Sequence, residues 1–249
     1  MLEFKNVNIY YDKKHAIKNA SFVIRENKIV MVVGKNGAGK SSIVNAINGT
    51  INYNGEITID LKNIKEIKNK EKAKLISILP QKLPLVHIKV KELLEFGRNC
   101  YTTLLGGLSQ EDKKAIDNAV DIININDLLD KYLDELSGGE LQKAYLAMVI
   151  SQNSNIIVLD EPVTHLDKEY ESLFLRKLIE IKNKLNKTII VVIHDINDAV
   201  NFGDDIIVIE KGNIIFNDSV EKCLNEEVLE KTFNLKKYVF DNKVFFDFN

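Results

Sequence analysis

Residues 29–45, IVMVVGKNGAGKSSIVN, leave this chain few folds to choose from. Residues 29–33 are an apolar run of strand length, the pattern of a strand buried on both faces. Gly34-Lys35-Asn36-Gly37-Ala38-Gly39-Lys40-Ser41 follows, and then a helical pattern with Ile43, Val44 and Ile47 on one side. This is G-x-x-x-x-G-K-[ST] with a strand before it and a helix after it. Glycines let the backbone curl without a Cβ in the way, so successive N–H groups turn into one hollow. The hollow sits at a helix N-terminus, where unpaired N–H groups and the helix dipole favour an anion. Lys40 adds a point charge suited to β- and γ-phosphates, and the Ser41 hydroxyl can ligate Mg²⁺. The segment predicts a phosphate-binding loop.

The rest of the chain has an α/β pattern. Residues 2–10 and 20–25 alternate apolar and polar, which predicts antiparallel strands with a turn at 12–14. Residues 55–59 and 75–79 read as short strands, and 62–74 as a charged, exposed stretch. From about 85 to 152 the pattern turns helical. Val90, Leu93, Leu94 and Phe96 share one amphipathic helix. Ser109 and an acidic turn precede a helix over 115–123, and another helix starts at Ser137-Gly138-Gly139. Residues 156–159 and 188–193 are continuous apolar runs on either side of an amphipathic helix over 168–183. That is a βαβ unit of a parallel sheet covered on both faces. Residues 206–209 and 213–216 flank Lys211-Gly212 as a hairpin, and 220–249 predicts a short helix and a final strand. No repeat, low-complexity segment or linker interrupts the chain. The expectation is one domain over 1–249 with a helical insertion at about 85–152.

Composition excludes some partners. The net charge of −2, with only three arginines among 34 basic residues, gives no broad field for nucleic acid. Cys100 and Cys223 are far apart, without metal spacing or a disulfide framework, which fits a reduced cytoplasmic setting. Charges from Glu3 onward and the lack of an apolar h-region argue against a signal peptide. No apolar run approaches the roughly 18–20 residues that span a bilayer, so a membrane role is expected to come through a partner.

Two further stretches carry chemistry. Residues 156–161, IIVLDE, are a buried strand ending in Asp160 and Glu161. In phosphate-loop nucleotidases such an Asp holds Mg²⁺, and the next carboxylate can polarise an attacking water. An ordinary acidic turn is the plain alternative, and Lys40 in the same chain favours the chemistry. Residues 136–142, LSGGELQ, place Ser137 as an N-cap and use Gly138 and Gly139 to expose N–H groups at a helix start. A second anion site in one chain makes most sense if the two helix ends serve different nucleotides.

LSGGE and the phosphate loop together resemble the ATP-binding cassette (ABC) family, over nearly the whole chain and in the family's order. Tyr11 stands where that family places an aromatic that stacks on adenine. Gln81, in ILPQ, matches the loop glutamine that senses Mg²⁺ and the γ-phosphate. VTHLD at 163–167 resembles the loop after the catalytic carboxylate, and His194, in VIHDIND, matches the switch histidine. The resemblance implies an α/β phosphate-loop NTPase (RecA-like) core with an N-terminal antiparallel β subdomain and an inserted α-helical subdomain. It also implies roles. Gly34, Lys35, Asn36, Gly37, Ala38, Gly39, Lys40, Ser41 and Ser42 would cradle the phosphates of ATP. Ser41 and Gln81 would hold Mg²⁺ with Asp160 behind them. Glu161 would be general base, and His194 would contact the γ-phosphate. Ser137, Gly138 and Gly139 would close over the ATP of an opposite protomer. Val163, Thr164 and Lys143 replace a usual threonine, serine and arginine; none removes a catalytic group, so an active ATPase is expected.

The resemblance also narrows what the ATPase powers. The chain has no fused membrane spans, carries one cassette rather than two, and has only residues 82–135 between Gln81 and the signature, with no sustained heptads. That leaves a stand-alone motor for a transporter. Residues 90–120, VKELLEFGRNCYTTLLGGLSQEDKKAIDNAV, resemble importers of iron-siderophores, haem and vitamin B12, in which V-x-E-x-V-x-x-GR-x-PY is followed by S-x-x-D; Cys100 stands at the proline. The implied partners are transmembrane permease subunits, an extracytoplasmic solute-binding protein, and a second ATPase, either a copy of this chain or a paralogue. The implied location is the cytoplasmic face of the membrane, as a peripheral subunit. A zinc/manganese or other small-solute transporter, an exporter motor and a non-transport regulatory ATPase are the alternatives.

Overall fold

The computed structural model describes residues 1–12, 14–102, 107–164, 166–240 and 243–248. Lys13 of the expected first turn, residues 103–106 of the importer-like stretch and His165 of VTHLD lie outside the described residues. The chain divides into two units: Met1–Ile67 with Thr188–Asn249, and Lys68–Lys187.

The first unit opens with β1 (Leu2–Tyr11) antiparallel to β2 (Lys14–Ile24), with Leu2 opposite Ile24 and Phe4 opposite Phe22. The two phenylalanine rings stack at 4.3 Å. Burial in β1 runs Leu2, Phe4, then Val7, Ile9, a slip of one residue at a bulge where Asn6 adopts φ 50°. Polar side chains satisfy the main chain there: Asn6 N–H donates to Ser21 Oγ (2.9 Å), and Asn19 N–H to Asn8 Oδ1 (2.9 Å). The second strand starts at Lys14 rather than at 20. Ala16 and Ile17 are adjacent yet both buried, because the register against β1 is irregular, and this hides the period of two.

Every residue of β3 (Ile29–Gly34) is buried, as its apolar run predicts. It leads through the loop into α1 (Lys40–Asn48), which ends on Gly49 at φ 81°. Next come β4 (Tyr53–Ile59), which pairs with the other edge of β1, and the short β5 (Lys62–Asn63), giving the antiparallel order β2-β1-β4-β5.

The second unit begins with α2 (Asn69–Leu75) and β6 (Ile76–Leu79). The stretch 62–74 is thus a strand and a helix rather than a featureless charged segment, although α2 buries none of its residues. Helices α3 (Val90–Phe96), α4 (Gln110–Ile123) and α5 (Gly138–Ser151) follow. Helix α4 starts directly after its Ser109 cap, five residues before its apolar period becomes visible, because its first turn is polar. Strand β7 (Ile156–Asp160) runs parallel to β6, with Ile76 opposite Ile156 and Leu79 opposite Leu159, and α6 (Lys168–Leu185) completes the unit.

Back in the first unit, β8 (Thr188–Val192) is followed by α7 (Ile196–Phe202), β9 (Asp205–Glu210) and β10 (Asn213–Ser219). Strands β8 and β9 flank β3 in parallel, and β10 pairs antiparallel with β9. The C-terminal expectation of one helix and one strand is corrected to α8 (Val220–Asn225), α9 (Val228–Phe233) and a hairpin of β11 (Leu235–Phe240) and β12 (Lys243–Phe248). Asn197 of α7 holds β12 by exchanging two hydrogen bonds with the main chain of Phe246 (2.7 and 3.1 Å). Among the described residues no helix is long and apolar enough to cross a membrane.

Candidate functional site

In the first unit the phosphate loop joins the end of β3 to α1, with Gly37 at φ 75° and Gly39 at φ 113°. Gly39 is required twice over. Its backbone is left-handed, and a Cβ there would come within 2.6 Å of Ile17 Cδ1 and 2.8 Å of Ala16 O on β2. The turn between β9 and β10 braces the other side: Gly212 N–H donates to Ala38 O at 3.0 Å. The antiparallel sheet and this hairpin thus hold the curl in shape.

Lys40 is 5% exposed and reaches back over the loop, donating from Nζ to Gly34 O at 2.8 Å. Its Nζ lies 3.5 Å from Nδ1 of His194, two residues past β8. The structure therefore brings Lys40 and His194 together. Ser41 and Ser42 occupy the first turn of α1, and Lys35, Asn36 and Ala38 lie on the loop before it. Tyr11 is 42% exposed, and its hydroxyl accepts from Asn45 Nδ2 of α1 at 3.4 Å. Tyr10 stacks instead on His15, at 4.2 Å between ring centroids. The two adjacent tyrosines point to opposite faces of β1, and Tyr11 is the one on the phosphate-loop helix.

In the second unit, Asp160 ends the fully buried β7 and Glu161 follows it at φ 51°. Positive φ in this chain falls mostly on Asn, Asp and Gly; among the described residues Leu61, Glu161, Lys211 and Glu227 are the others. A glutamate held there carries backbone strain of order 1–2 kcal/mol. Gln81 donates from Nε2 to Glu161 Oε2 at 2.5 Å, so the loop glutamine and the second carboxylate also come together. Gln142 of α5 donates to Pro162 O, tying the signature helix to the turn that carries Glu161.

The signature itself is a complete capping box. Ser137 Oγ accepts from Glu140 N–H and donates to Glu140 Oε2 (2.7 Å), and Ser137 N–H donates to the same carboxylate (2.9 Å). These bonds from Ser137, with Lys131 Nζ at 3.1 Å, pull the Glu140 carboxyl down to about 2. Ser137 and Gly138 are exposed, and a Cβ on Gly138 would meet no other described residue within 4 Å beyond its chain neighbours and its own helix. The helix start is open to solvent. A cavity of about 320 Å³ lies in front of it, lined by Ser137, Gly138, Gly139, Lys143, Asp167 and Tyr170 among others.

Asn45, Gly212 and Glu140 bond to the candidate site residues Tyr11, Ala38 and Ser137, and sequence reasoning did not single them out. Only Glu140 had a local signal, the S-x-x-E spacing from Ser137. Asn45 and Gly212 act through folded contacts.

The model of the ABC transporter family matches residues 17–164. The petrobactin import ATP-binding protein YclP of Bacillus subtilis (strain 168) is 37% identical, over 94% of this chain and 93% of the relative. The ferric enterobactin transport ATP-binding protein FepC of Escherichia coli (strain K12) is 29% identical, over 98% of this chain and 90% of the relative. The dimeric structure of MJ0796, a bacterial ABC transporter cassette, aligns with a TM-score of 0.77 at 26% identity, over 88% of this chain and 99% of that one.

Proposed function

Because the chain belongs to the ABC transporter family, we propose that it is the ATP-hydrolysing motor of an iron-siderophore importer. It works as a dimer on separate membrane-spanning subunits, peripheral to the cytoplasmic face, and an extracytoplasmic binding protein delivers the solute. The observation that carries this reading is the pairing of a braced phosphate loop with a second, exposed helix start, in a chain alike over nearly its whole length to siderophore-import ATP-binding proteins.

On this reading the N–H groups of residues 34–42 and the Lys40 ammonium hold the phosphates, and His194 contacts the γ-phosphate. Ser41, Gln81 and Asp160 offer a hydroxyl, an amide oxygen and a carboxylate, the hard oxygen donors Mg²⁺ takes. Gln81 donates through its nitrogen to Glu161, so its oxygen is the atom suited to the metal. When bound, Mg²⁺ neutralises charge on the β- and γ-phosphates. Glu161 takes the proton of the attacking water, and Ser137, Gly138 and Gly139 serve the nucleotide of the second protomer.

Tyr11 supplies the adenine platform. Tyr11→Ala should weaken Mg-ATP by about 1–3 kcal/mol, the usual worth of a base stacked on an aromatic ring, with no change in turnover at saturation. Tyr10→Ala, on the His15 face, should leave the Kd as it was. Calorimetric titration of both variants reads this directly, and the reverse ranking would move the platform to Tyr10.

The importer reading is tested by co-purifying the chain with its membrane subunits, reconstituting them in vesicles and adding loaded binding protein. Ferric siderophore should stimulate ATP hydrolysis. Stimulation by zinc or manganese instead, or by no solute, would overturn the cargo.

A further inference from the structure

The segment after α3, Gly97-Arg98-Asn99-Cys100-Tyr101, has no part in the chemistry above, yet it builds a buried ion pair. Arg98 Nε donates to Asp112 Oδ1 at 2.8 Å and Nη1 donates to Ser151 O at 2.7 Å, with both charged side chains 5% exposed. The Tyr101 ring covers the guanidinium at 3.8 Å. The second oxygen of Asp112 accepts from Ser109 N–H (2.9 Å) and Oγ (2.7 Å). Burial alone would push the Asp112 carboxyl up, but the Ser109 and Arg98 bonds outweigh it and hold the group below its ordinary value. The pair is charged.

Gly97 makes the approach possible. A Cβ there would sit 2.4 Å from Ser151 Oγ and 2.6 Å from Met148 O. Ser151 Oγ in turn donates to Leu94 O at 3.0 Å. One guanidinium therefore joins the end of α3, the first turn of α4 and the last turn of α5, where unpaired carbonyls and the helix dipole welcome a cation.

A buried ion pair is weak evidence for stability, because a well-packed apolar pair of similar volume often does as well. An apolar pair cannot fix direction. The planar guanidinium donates to its two partners only at set angles. Direction matters for α5, since its other end, about 21 Å away at 1.5 Å per residue, carries Ser137, Gly138 and Gly139.

We propose that Arg98 is a positioning residue: its bonds to Asp112 and Ser151 O set the angle of α5, and with it the placement of the signature on the partner's nucleotide. This rests on reading the signature as an ATP clamp.

The test is the apolar pair swap Arg98→Met with Asp112→Leu, compared with Arg98→Lys. The swap also gives up the Asp112 bonds to the Ser109 cap, so it should melt within about 4 °C of the parent chain, and it should bind Mg-ATP with the same Kd because the phosphate loop is untouched. Its kcat should fall on the order of 10²-fold, the effect of a misplacement of about 1 Å. Arg98→Lys keeps a charge but not the fork, and should lie between the two. A swap that melts normally and turns over at the parental rate would overturn the proposal. If the swap fails to fold, Arg98→Lys decides alone: reduced kcat at unchanged Kd supports the role, and parental kcat overturns it. The clamp itself is checked with Arg98 intact, in a Glu161→Gln chain. Failure of that chain to dimerise with ATP overturns the clamp and the positioning role together, whereas dimerisation there with parental kcat in the swap overturns the positioning role only.

Discussion

Lys40→Ala should abolish measurable Mg-ATP binding in a chain that still folds. Lys40 is buried over its own loop, on Gly34 O and beside His194, so its ammonium is held against the loop. A unit charge about 4 Å from one phosphate charge contributes about 4 kcal/mol near a protein surface. Losing it weakens binding by about 10³-fold, before the further charges of a triphosphate are counted. The fold is spared because β3 and the apolar face of α1 are unchanged; the cost is the hydrogen bond to Gly34 O, about 1 kcal/mol. Calorimetric titration beside a thermal melt separates the two effects. An unchanged Kd would contradict the phosphate assignment, and a lost melt would contradict the view that Lys40 is functional rather than structural.

Glu161→Gln should bind ATP normally and hydrolyse it at least ~10²-fold more slowly, as befits the loss of a general base. The amide has the carboxylate's shape, and its oxygen can still accept from Gln81 Nε2. The variant therefore removes the base while leaving the turn at φ 51° in place. Phosphate release measured at saturating Mg-ATP checks it; a loss of less than about tenfold would return Glu161 to a structural turn.

Much of the core, and the elements that carry the candidate site, were legible because they are local. The β3–loop–α1 pattern, the buried run ending in Asp160 and Glu161, and the Ser137 cap each lie within a few residues. Their physics, a glycine curl, a fully buried strand and a helix start, is written in adjacent side chains. What was not legible depends on distant contacts or on elements too short or too exposed to write a period. Strand β2 begins six residues early because neighbouring Ala16 and Ile17 are both buried against an irregular register. Helix α7 has seven residues, too few for a periodic signal, and is recognisable by its Asp195 cap. The first strand of the C-terminal hairpin, β11, leaves Tyr238, Val239 and Phe240 exposed, so burial does not write a period into it. The site shows the same division. Gly212 braces the phosphate loop from a turn far along the chain. The arginine of the importer-like stretch finds its partners 14 and 53 residues away, and only the folded chain shows that they meet at the end of the signature helix.

The most direct test of the whole account is the size of the Glu161→Gln chain with and without ATP, measured by light scattering after size exclusion. Lys40 begins α1 and Ser137 caps α5, and Ser137 and Gly138 are open at the surface. Two copies related by a two-fold axis can complete each other's sites at one isologous interface, with ATP as the shared element. Blocking hydrolysis should therefore trap a dimer in ATP that is absent without nucleotide, and adding Ser137→Arg should return the chain to monomer. A dimer that forms equally well without ATP, or that survives Ser137→Arg, would contradict the claim that this chain's signature closes on a partner's nucleotide.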